Sequence, residues 1–196
     1  MFKRIFDIVS SVLVLLIIWP LMILIAILVL CSGKGRIFFV QKRVGRHGLE
    51  FNLYKFRTMQ INSEALGQLT IGGKDPRVTR IGYWLRKFKL DELPQLFNVI
   101  GGSMSVVGPR PEVIRYTSLY SNEQKQVLNV RPGLTDYASL VYIAEDELLG
   151  KASDPFKTYI NEVMPAKLAL NLKYIKEQSF FTDLKIIFRT IGKLFS

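Results

Sequence analysis

An uncharged apolar run near the N-terminus constrains this chain more than any other feature of its sequence. Residues 8–31 contain no Asp, Glu, Lys, Arg or His, and about 24 such residues are enough for a helix to cross a hydrocarbon core of roughly 30 Å. The run is longer than the roughly 7–15 residues of a signal-peptide core, so we predict a retained membrane segment rather than a cleaved leader.

The charges that flank this run bear on its topology. Lys3 and Arg4 precede it and a basic stretch at 34–46 follows it, and positive flanks favour the cytoplasmic side. Pro20 lacks an amide hydrogen and interrupts helices, so we expect a re-entrant hairpin that dips into the bilayer and returns on the same side. A kinked spanning helix is the alternative, because membrane helices tolerate proline.

Composition limits the remaining choices. The 27 Lys and Arg residues against 16 Asp and Glu give a net charge of +11, which favours nucleic acid, an anionic membrane surface or phosphorylated substrates. The single cysteine, Cys31, excludes an intrachain disulfide and a cysteine-based metal site. We therefore divide the chain into a membrane helix at 1–34 and one catalytic domain at 35–196.

The C-terminal stretch at about 167–195 predicts an amphipathic helix. Its last part places apolar side chains at helical spacing, with cations on the other face; these side chains are Leu184, Ile187, Phe188, Ile191 and Leu194. Such a helix can lie in the lipid headgroup layer. It can equally well pack on its own domain, and the sequence leaves both arrangements open.

The middle of the chain predicts a small, mainly helical α+β domain. The patterns indicate a short β-hairpin, a polar loop and three helices. We expect strands at 36–41 and 49–56, the loop at about 62–75, and helices at 79–88, 91–100 and 113–130.

Several kinds of catalytic chemistry have no support in this sequence. There is no phosphate-binding GxxxxGK[ST] loop and no GxGxxG after a strand. A Ser-His-Asp arrangement is not expected, because the single histidine, His47, falls in the predicted hairpin turn. The remaining candidates are carboxylates and arginines.

Two adjacent acids, Asp91 and Glu92, stand just before Pro94, which is tolerated only in the first turn of a helix. One interpretation is structural, with Asp91 as an N-cap and Glu92 complementing the helix dipole. The functional interpretation is that nearby cations keep Asp91 ionised for attack on phosphorus, while Glu92 holds a divalent cation. Together the two acids are the candidate Mg²⁺ site.

Cations are dense in the sequence on both sides of this pair, and guanidinium groups bind phosphate in a bidentate manner. Prolines restrict the backbone on either side of one arginine, in the Gly-Pro-Arg-Pro sequence at 108–111, and directly after another, in Arg-Pro-Gly at 131–133. Exposed surface arginines beside structural prolines are the alternative. The candidate phosphate-binding residues are Lys55, Arg57, Arg86, Arg110 and Arg131.

Four ordered motifs carry a resemblance to a known family. They are DPRVTR at 75–80, LDELPQLFNV at 90–99, GSMSVVGPRP at 102–111 and RPGLT at 131–135. In order and spacing they resemble the bacterial sugar transferase family, the monotopic polyprenyl-phosphate phosphoglycosyl transferases. The resemblance also includes residues 2–7, 54–59 and 179–188, and so extends over most of the chain.

The resemblance implies a two-step ping-pong reaction at the cytoplasmic face of the bacterial inner membrane. Asp91 would attack the β-phosphate of a UDP-sugar, UMP would leave, and polyprenyl phosphate would then take the phosphosugar as the first membrane step of surface glycan assembly. By the same carry-over Glu92 supports Mg²⁺, and Arg110 and Arg131 bind phosphate. The membrane helix of the family is re-entrant.

The chain departs from the family pattern at two places. Residues 136–140 and the acidic stretch at 145–147 replace a Trp-Ala-Gln-Val type of sequence, and Trp19 stands where a serine often precedes the proline of the membrane helix. The first departure leaves the identity of the sugar open. The second departure should not remove the break in the helix, because Pro20 is still present.

Two other functions compete with this interpretation. The first is a non-catalytic, basic membrane scaffold or nucleic-acid-binding protein, but such a protein would not need the carboxylate pair, so we expect no nucleic acid partner. The second is direct glycosyl transfer, which would normally show a larger chain and an Asp-x-Asp metal motif, and this sequence has no such motif. The sequence does not fix the oligomeric state, and a homodimer is an arrangement that it allows.

Overall fold

The structure, a computed structural model, describes residues 2–61 and 75–194. Apart from Asp75, the polar loop predicted at about 62–75 lies outside these ranges. Helices dominate the described residues, and two small two-stranded sheets accompany them. The predicted mainly helical α+β class is therefore confirmed.

The apolar run forms one long helix, α1 (Phe2–Cys31). Among the described residues it is the one helix that is long and apolar enough to cross a membrane. Helical structure continues through Pro20, so the interruption predicted at this residue is not observed. A proline removes only one amide donor, and a membrane helix tolerates that loss.

The N-terminal end of α1 docks on the rest of the chain through polar side chains. The Arg4 guanidinium donates to the carbonyl oxygens of Val99 and Ile100 at 2.6 and 2.9 Å. The buried Asp7 carboxylate accepts from the Ser105 hydroxyl at 2.8 Å and from the Val106 amide at 3.1 Å. These bonds fix the first two turns of the helix.

The C-terminal end of α1 docks on the same unit through apolar contacts. Ile25 and Val29 are buried in one cluster with Phe56 and Leu85. Between the two docked ends, most side chains at 12–21 are exposed and apolar. The helix therefore contacts the domain at both ends and presents its middle outward.

The predicted hairpin is confirmed. Strands β1 (Phe38–Val44) and β2 (Glu50–Phe56) pair antiparallel, in a register from Phe38 opposite Phe56 to Val44 opposite Glu50. A 3₁₀ turn at Arg46–Gly48 joins them. Strand β1 runs three residues beyond its predicted end at 41, because the cross-strand pairing continues to the turn.

Two of the three predicted helices are present. Helix α2 (Arg80–Lys87) begins where the Thr79 side chain accepts from the Gly82 amide, close to the predicted 79–88. Helix α3 (Gln95–Gly101) ends at Gly102, which has a φ of 90°, a conformation that favours glycine. Its C-terminal end agrees with the sequence.

The third predicted helix, at 113–130, is wrong. The chain forms a short helix α4 (Ile114–Thr117) and a separate 3₁₀ segment, Gln124–Asn129. The Ser121 hydroxyl accepts from the Gln124 amide, and the Gln124 side chain accepts from the Ser121 amide. This reciprocal capping box starts a new helical segment and thereby divides the predicted one.

A second sheet, absent from the sequence-based prediction, joins two motifs. Strand β3 (Ser105–Val107) pairs in parallel with β4 (Gly133–Thr135). A Cβ atom on Gly133 would lie 2.1 Å from the Gly108 nitrogen, and one on Gly108 would lie 2.5 Å from the Arg131 carbonyl oxygen. Glycine at both positions therefore lets the Gly-Pro-Arg-Pro and Arg-Pro-Gly segments lie side by side.

Five helices complete the described chain. They are α5 (Tyr137–Val141), α6 (Glu145–Gly150), α7 (Pro155–Thr158), α8 (Met164–Glu177) and α9 (Phe180–Leu194), with a π-helical turn, Tyr159–Val163, between α7 and α8. The amphipathic helix predicted at 167–195 is thus two helices, because the backbone leaves the helical conformation at Gln178.

Helix α9 combines features of both arrangements considered for the C-terminal stretch. Ile186 is fully buried with Tyr174 of α8 in one core cluster, so one face packs on the domain. Phe181 and Phe188 are 80% and 69% exposed, so another face presents large apolar side chains outward. The domain contact is therefore present, and an outward apolar face remains.

Candidate active site

The two adjacent acids lie in a 3₁₀ turn, Leu90–Glu92, between α2 and α3. The exposed fractions of Asp91 and Glu92 are 5% and 8%. The helix was predicted to begin at Asp91, but α3 begins only at Gln95. Pro94, directly before it, has no amide hydrogen to donate. Lys89, directly before the turn, has a φ of 54°, which is uncommon outside glycine.

Glu92 is held by two cations. Its Oε1 accepts from the Lys55 ammonium at 2.9 Å and from the Arg110 guanidinium, and its Oε2 accepts from Arg110 Nη1 at 3.2 Å. Burial by itself would raise the pKa of Glu92, but Arg110 and Lys55 outweigh it and bring the pKa well below its ordinary value. Glu92 is therefore a fixed anion between two positive groups.

Asp91 has a different environment. Across residues 2–61 and 75–194, its carboxylate takes part in no hydrogen bond or ion pair. Burial raises the pKa of Asp91, the Lys55 charge lowers it and the Glu92 charge raises it further, with a net increase. At Asp91 burial therefore outweighs the cations, so its pKa shifts opposite to the direction that the cations alone would give.

The pKa values of the neighbouring acids are therefore shifted in opposite directions. Environments that separate two titratable groups in this way commonly assign them different tasks. Glu92 organises the cations, whereas the desolvated Asp91 carboxylate accepts no hydrogen bond from residues 2–61 and 75–194. A carboxylate of the second kind is suited to nucleophilic attack.

Four of the five predicted phosphate-binding cations line the cavity, and three of them surround the acids. Lys55 on β2 and Arg110 contact Glu92 directly, and Arg86 on α2 belongs to the same cavity wall. Burial lowers the pKa of Lys55, although the Glu92 charge opposes this effect. The structure therefore assembles Lys55, Arg86 and Arg110 around the acids.

The other two predicted cations are used elsewhere. Arg57 contributes to the cavity wall, but its guanidinium donates to the carbonyl oxygens of Val29, Gly33 and Lys34, at and beyond the end of α1. The Arg131 Nε donates to the Gly102 carbonyl oxygen at 2.9 Å, and Arg131 is absent from the described cavity wall. Both satisfy carbonyl groups at helix ends, which lack helical partners.

A buried aspartate positions Arg110. The fully buried Asp136 accepts from the Arg110 backbone amide at 3.2 Å and from the Ser139 amide at 2.6 Å. It therefore caps α5 and fixes the Gly-Pro-Arg-Pro segment at the same time. In the sequence, Asp136 stands out only as a departure from the family pattern.

The acids open into a cavity of about 850 Å³. Its wall includes apolar side chains from α1 and α9 on one part and polar side chains on another. The apolar part contains Phe6, Val14, Leu184, Ile187 and Ile191, and the polar part contains Arg43, Glu112, Tyr142, Glu145 and Lys167. The cavity can thus accommodate a ligand with both polar and apolar portions.

Sequence reasoning did not identify the polar part of this wall. Arg43 belongs to the basic stretch at 34–46 that follows the apolar run, yet its guanidinium donates to the Pro111 carbonyl oxygen and lies 3.7 Å from Glu112. Glu112 directly follows the Gly-Pro-Arg-Pro motif, which is the one local signal that could have found it. Lys167 and Glu145 carry no such signal, because they lie 22 residues apart.

The residues present fit the Mg²⁺ ion that the family implies. Among the described residues, no group of three or more His, Cys, Asp or Glu side chains could hold a metal. Mg²⁺ usually binds proteins through one or two carboxylates together with substrate phosphates and water. Among the residues that the structure describes, none donates to the Asp91 carboxylate and one bond reaches Oε2 of Glu92, so this pair can supply that minimal set.

Comparison with known proteins gives a consistent family. The model of the bacterial sugar transferase family matches residues 1–196. The exopolysaccharide production protein ExoY of Rhizobium meliloti (strain 1021) is 37% identical over 206 residues, which cover 97% of this chain and 84% of that protein.

Longer relatives carry more explicit names. The UDP-N-acetylgalactosamine-undecaprenyl-phosphate N-acetylgalactosaminephosphotransferase of Aeromonas hydrophila is 38% identical over 192 residues, covering 96% of this chain and 42% of that protein. The UDP-glucose:undecaprenyl-phosphate glucose-1-phosphate transferase of Escherichia coli (strain K12) is 37% identical over 199 residues, covering 98% and 40%. The chain therefore spans about two fifths of the length of these two relatives.

Proposed function

The chain belongs to the bacterial sugar transferase family, and on this basis we propose that it transfers a sugar-1-phosphate from a UDP-sugar to undecaprenyl phosphate, with release of UMP. The observation that carries the proposal is the buried Asp91–Glu92 pair, with its opposite pKa shifts. The pair opens into a cavity whose wall is partly cationic and partly apolar, as a lipid phosphate and a nucleotide sugar together require.

In the first step, an Asp91 carboxylate oxygen attacks the β-phosphorus of the UDP-sugar. The bond between this phosphorus and the oxygen that bridges it to the α-phosphate breaks, and UMP leaves with that oxygen. Asp91 then carries the sugar phosphate as an acyl phosphate. Within residues 2–61 and 75–194 no donor binds the Asp91 carboxylate, so these residues leave its lone pairs available for attack, which supports this role.

In the second step, a phosphate oxygen of the lipid attacks the same phosphorus. The bond to Asp91 breaks, the aspartate is regenerated, and the product is a sugar linked to the lipid through a diphosphate. Arg110 and Lys55, already oriented by Glu92, stabilise the charge on the equatorial phosphate oxygens in both steps.

Mg²⁺ would be held by Asp91 and Glu92 and would supply charge neutralisation of the phosphate oxygens. The cations of the protein act beside it rather than in its place. Arg86 lines the same cavity and adds positive charge on the α2 side of the acids.

For the membrane segment we propose the re-entrant topology. Polar contacts at both ends of α1 support it: Arg4 binds carbonyl groups at the end of α3, and Arg57 binds carbonyl groups at the end of α1 itself. Both ends therefore meet the same domain, whereas the ends of a spanning helix are separated by a hydrocarbon core of roughly 30 Å. Because α1 is helical throughout, this topology requires the helix to bend without breaking, and Pro20 is the expected position of the bend. With this topology, the proposed active site lies at the cytoplasmic face of the inner membrane.

The apolar wall of the cavity supports a lipid acceptor. Phe6 and Val14 of α1 and Leu184, Ile187 and Ile191 of α9 line the same cavity as the acids. The exposed Phe181 and Phe188 on α9 suit a helix in the headgroup layer. A lipid phosphate can thus reach Asp91 while its chain remains among apolar side chains.

The decisive experiment measures UMP release by the purified protein in nanodiscs, with Mg²⁺, a panel of UDP-sugars and added undecaprenyl phosphate. We expect UMP from at least one donor and, without the lipid, a phosphosugar adduct on the intact protein. Asp91→Asn should lose both, because an amide is not an adequate nucleophile. Near-normal turnover by Asp91→Asn would exclude the aspartyl mechanism, and no UMP from any donor would exclude the proposed reaction.

A further inference from the structure

The polar wall of the cavity contains an ion pair that the proposed reaction does not use. Lys167 Nζ lies 2.6 Å from Glu145 Oε2, and the two side chains are 12% and 23% exposed. Both residues line the cavity, together with Tyr142. The pair is thus shielded from bulk solvent and faces the space that a substrate would fill.

The side chain of Tyr159 contacts this ion pair. The Lys167 ammonium lies over the Tyr159 ring, 5.6 Å from its centroid, and the Tyr159 hydroxyl donates to Glu112 at 2.6 Å. Three separate segments, α6, α8 and the π-helical turn, therefore converge here. A shielded ion pair contributes little net stability compared with apolar residues, so its presence in a cavity wall points to a ligand.

The pair retains unused hydrogen-bonding capacity. Within the described part of the chain, Oε1 of Glu145 accepts no hydrogen bond, and the Lys167 ammonium uses one of its three donors. Sugar hydroxyl groups both donate and accept, so a carboxylate beside an ammonium is complementary to neighbouring hydroxyls on a ring. Tyr142 adds an aromatic surface and a phenolic hydroxyl.

The ion pair lies near the acids but on a different wall from the lipid-facing helices. The Glu145 charge acts on Arg110, which holds Glu92. Tyr142 packs on the core cluster around Leu149 and Tyr159. Ile187 of α9 instead packs on the cluster that contains Leu140, Tyr174 and Ile186.

The order of events in a ping-pong reaction assigns occupants to these walls. UMP leaves before the lipid phosphate attacks, so the phosphate of UMP and the phosphate of the lipid occupy the same position in turn. The sugar stays attached to Asp91 through its phosphate and needs a position of its own. Since the lipid lies along the wall formed by α1 and α9, the other wall is left for the sugar.

We propose that Glu145, Lys167 and Tyr142 bind the sugar ring of the donor through its hydroxyl groups and so determine which sugar is accepted. This inference rests on the proposed function and adds a specificity subsite to it. Residues 145–147 also belong to the stretch in which the sequence departs from the family pattern. We therefore expect this segment to make the accepted sugar differ from that of family members with the usual sequence.

The test compares donors that differ in their sugars alone. Initial rates of UMP release are measured with UDP-glucose, UDP-galactose and their N-acetylated counterparts, and UMP is titrated as a product inhibitor. For Glu145→Gln and Lys167→Gln we expect the KM of the preferred donor to rise about tenfold, the loss of one charged hydrogen bond. The preference among sugars should narrow, and the inhibition constant of UMP should stay unchanged.

Two further variants keep the result interpretable. Tyr142→Phe removes only a hydroxyl group and should give a smaller, sugar-dependent rise in KM of about threefold, even if an ion-pair variant folds poorly. Lys173→Gln is the matched control, because Lys173 pairs with Glu177 on the same helix but the two side chains are 61% and 46% exposed. The control should leave KM and sugar preference unchanged.

The outcomes separate this inference from the function on which it rests. If wild type releases UMP but the three cavity variants keep its sugar preference, or raise the KM of every donor and the UMP inhibition constant by one common factor, the sugar does not bind at this wall. If wild type releases no UMP from any donor, the proposed function fails and the subsite fails with it.

Discussion

At the residue scale, Asp91 and Glu92 are adjacent in the chain but contribute oppositely to stability. The pKa of Asp91 is raised by burial, so its ionisation opposes folding: its contribution is fully present below the unfolded-state pKa of about 3.9 and is lost as pH rises through the folded-state value. The pKa of Glu92 is lowered by Arg110 and Lys55 against the effect of burial. Its contribution is present above about 4.3 and is lost as pH falls through the folded-state value.

We therefore predict opposite effects of two amide substitutions at pH 7. Asp91→Asn should raise the apparent melting temperature in nanodiscs, and the gain should shrink as pH is lowered through the Asp91 pKa. Glu92→Gln should destabilise the protein by about 2 kcal/mol, because two cations lose their charged partner.

Thermal unfolding followed by intrinsic fluorescence between pH 5 and 8 measures both effects. Glu50→Gln is the control, since Glu50 pairs with Lys42 at 3.4 Å on an exposed surface, and such pairs contribute little. A loss of stability in Asp91→Asn at pH 7 would contradict the burial argument.

At the scale of elements, the ends of helices determine what each arginine does. Arg57 binds carbonyl groups at and beyond the end of α1, whereas Arg110 binds Glu92 in the cavity. A family motif or a high density of cations does not distinguish these roles. The two roles are distinguished by whether the guanidinium lies beside carbonyl groups at a helix end that lack helical partners.

This difference predicts a separation of stability from substrate binding. Arg57→Gln should lower the melting temperature and expose the segment after α1 to limited proteolysis, because the hydrogen bonds to Val29, Gly33 and Lys34 are lost. The KM for the UDP-sugar should change less than about twofold, because the guanidinium does not contact the acids. Arg110→Gln should lower kcat/KM on the order of 100-fold, because a charge-stabilising donor is lost.

Steady-state UMP release and a melting curve on each variant distinguish the two arginines. Arg57→Lys serves as the conservative comparison, since it keeps the charge but not the planar fork. If Arg57→Gln reduced kcat/KM as strongly as Arg110→Gln while its melting temperature stayed at the wild-type value, Arg57 would be a phosphate-binding residue after all.

At the scale of the whole molecule, α1 is both the long apolar helix and part of the cavity wall. Its two ends contact the domain, and its exposed middle is apolar. The N-terminal end is also tied to α9, through an ion pair between Lys3 and Asp183 and edge contacts of Phe2 and Phe6 with Phe180. The two helices that form the apolar cavity wall therefore also contact each other.

The re-entrant topology predicts that both ends of α1 face the cytoplasm. In a Cys31→Ser background, needed because Cys31 is exposed, single cysteines at positions 2 and 34 should both be protected from a membrane-impermeant thiol reagent applied to intact cells. Both should react after permeabilisation. Labelling of only one position in intact cells would establish a spanning helix instead.

Local features of this protein were predictable from its sequence. The apolar run, the hairpin and α2 follow from periodicity and capping within a few residues, and the positions of Asp91 and Arg110 follow from motifs. The failure at 113–130 also has a local cause, the capping box of Ser121 and Gln124. Such local features can be recognised from the sequence alone, because residues that are close in the chain are also close in the folded protein.

Tertiary structure alone decided the arrangement of the site. The Asp136 contact with the Arg110 amide, the Lys167 contact with Glu145 and the parallel pairing of β3 with β4 each join residues more than 20 positions apart. It also decided that Arg131 binds the Gly102 carbonyl group rather than lining the cavity. The sequence by itself determined which residues can carry charge and the approximate extents of α1, the hairpin and α2. Burial and packing determined which charges meet, because the partner of a long side chain depends on distant segments that only the folded chain brings into contact.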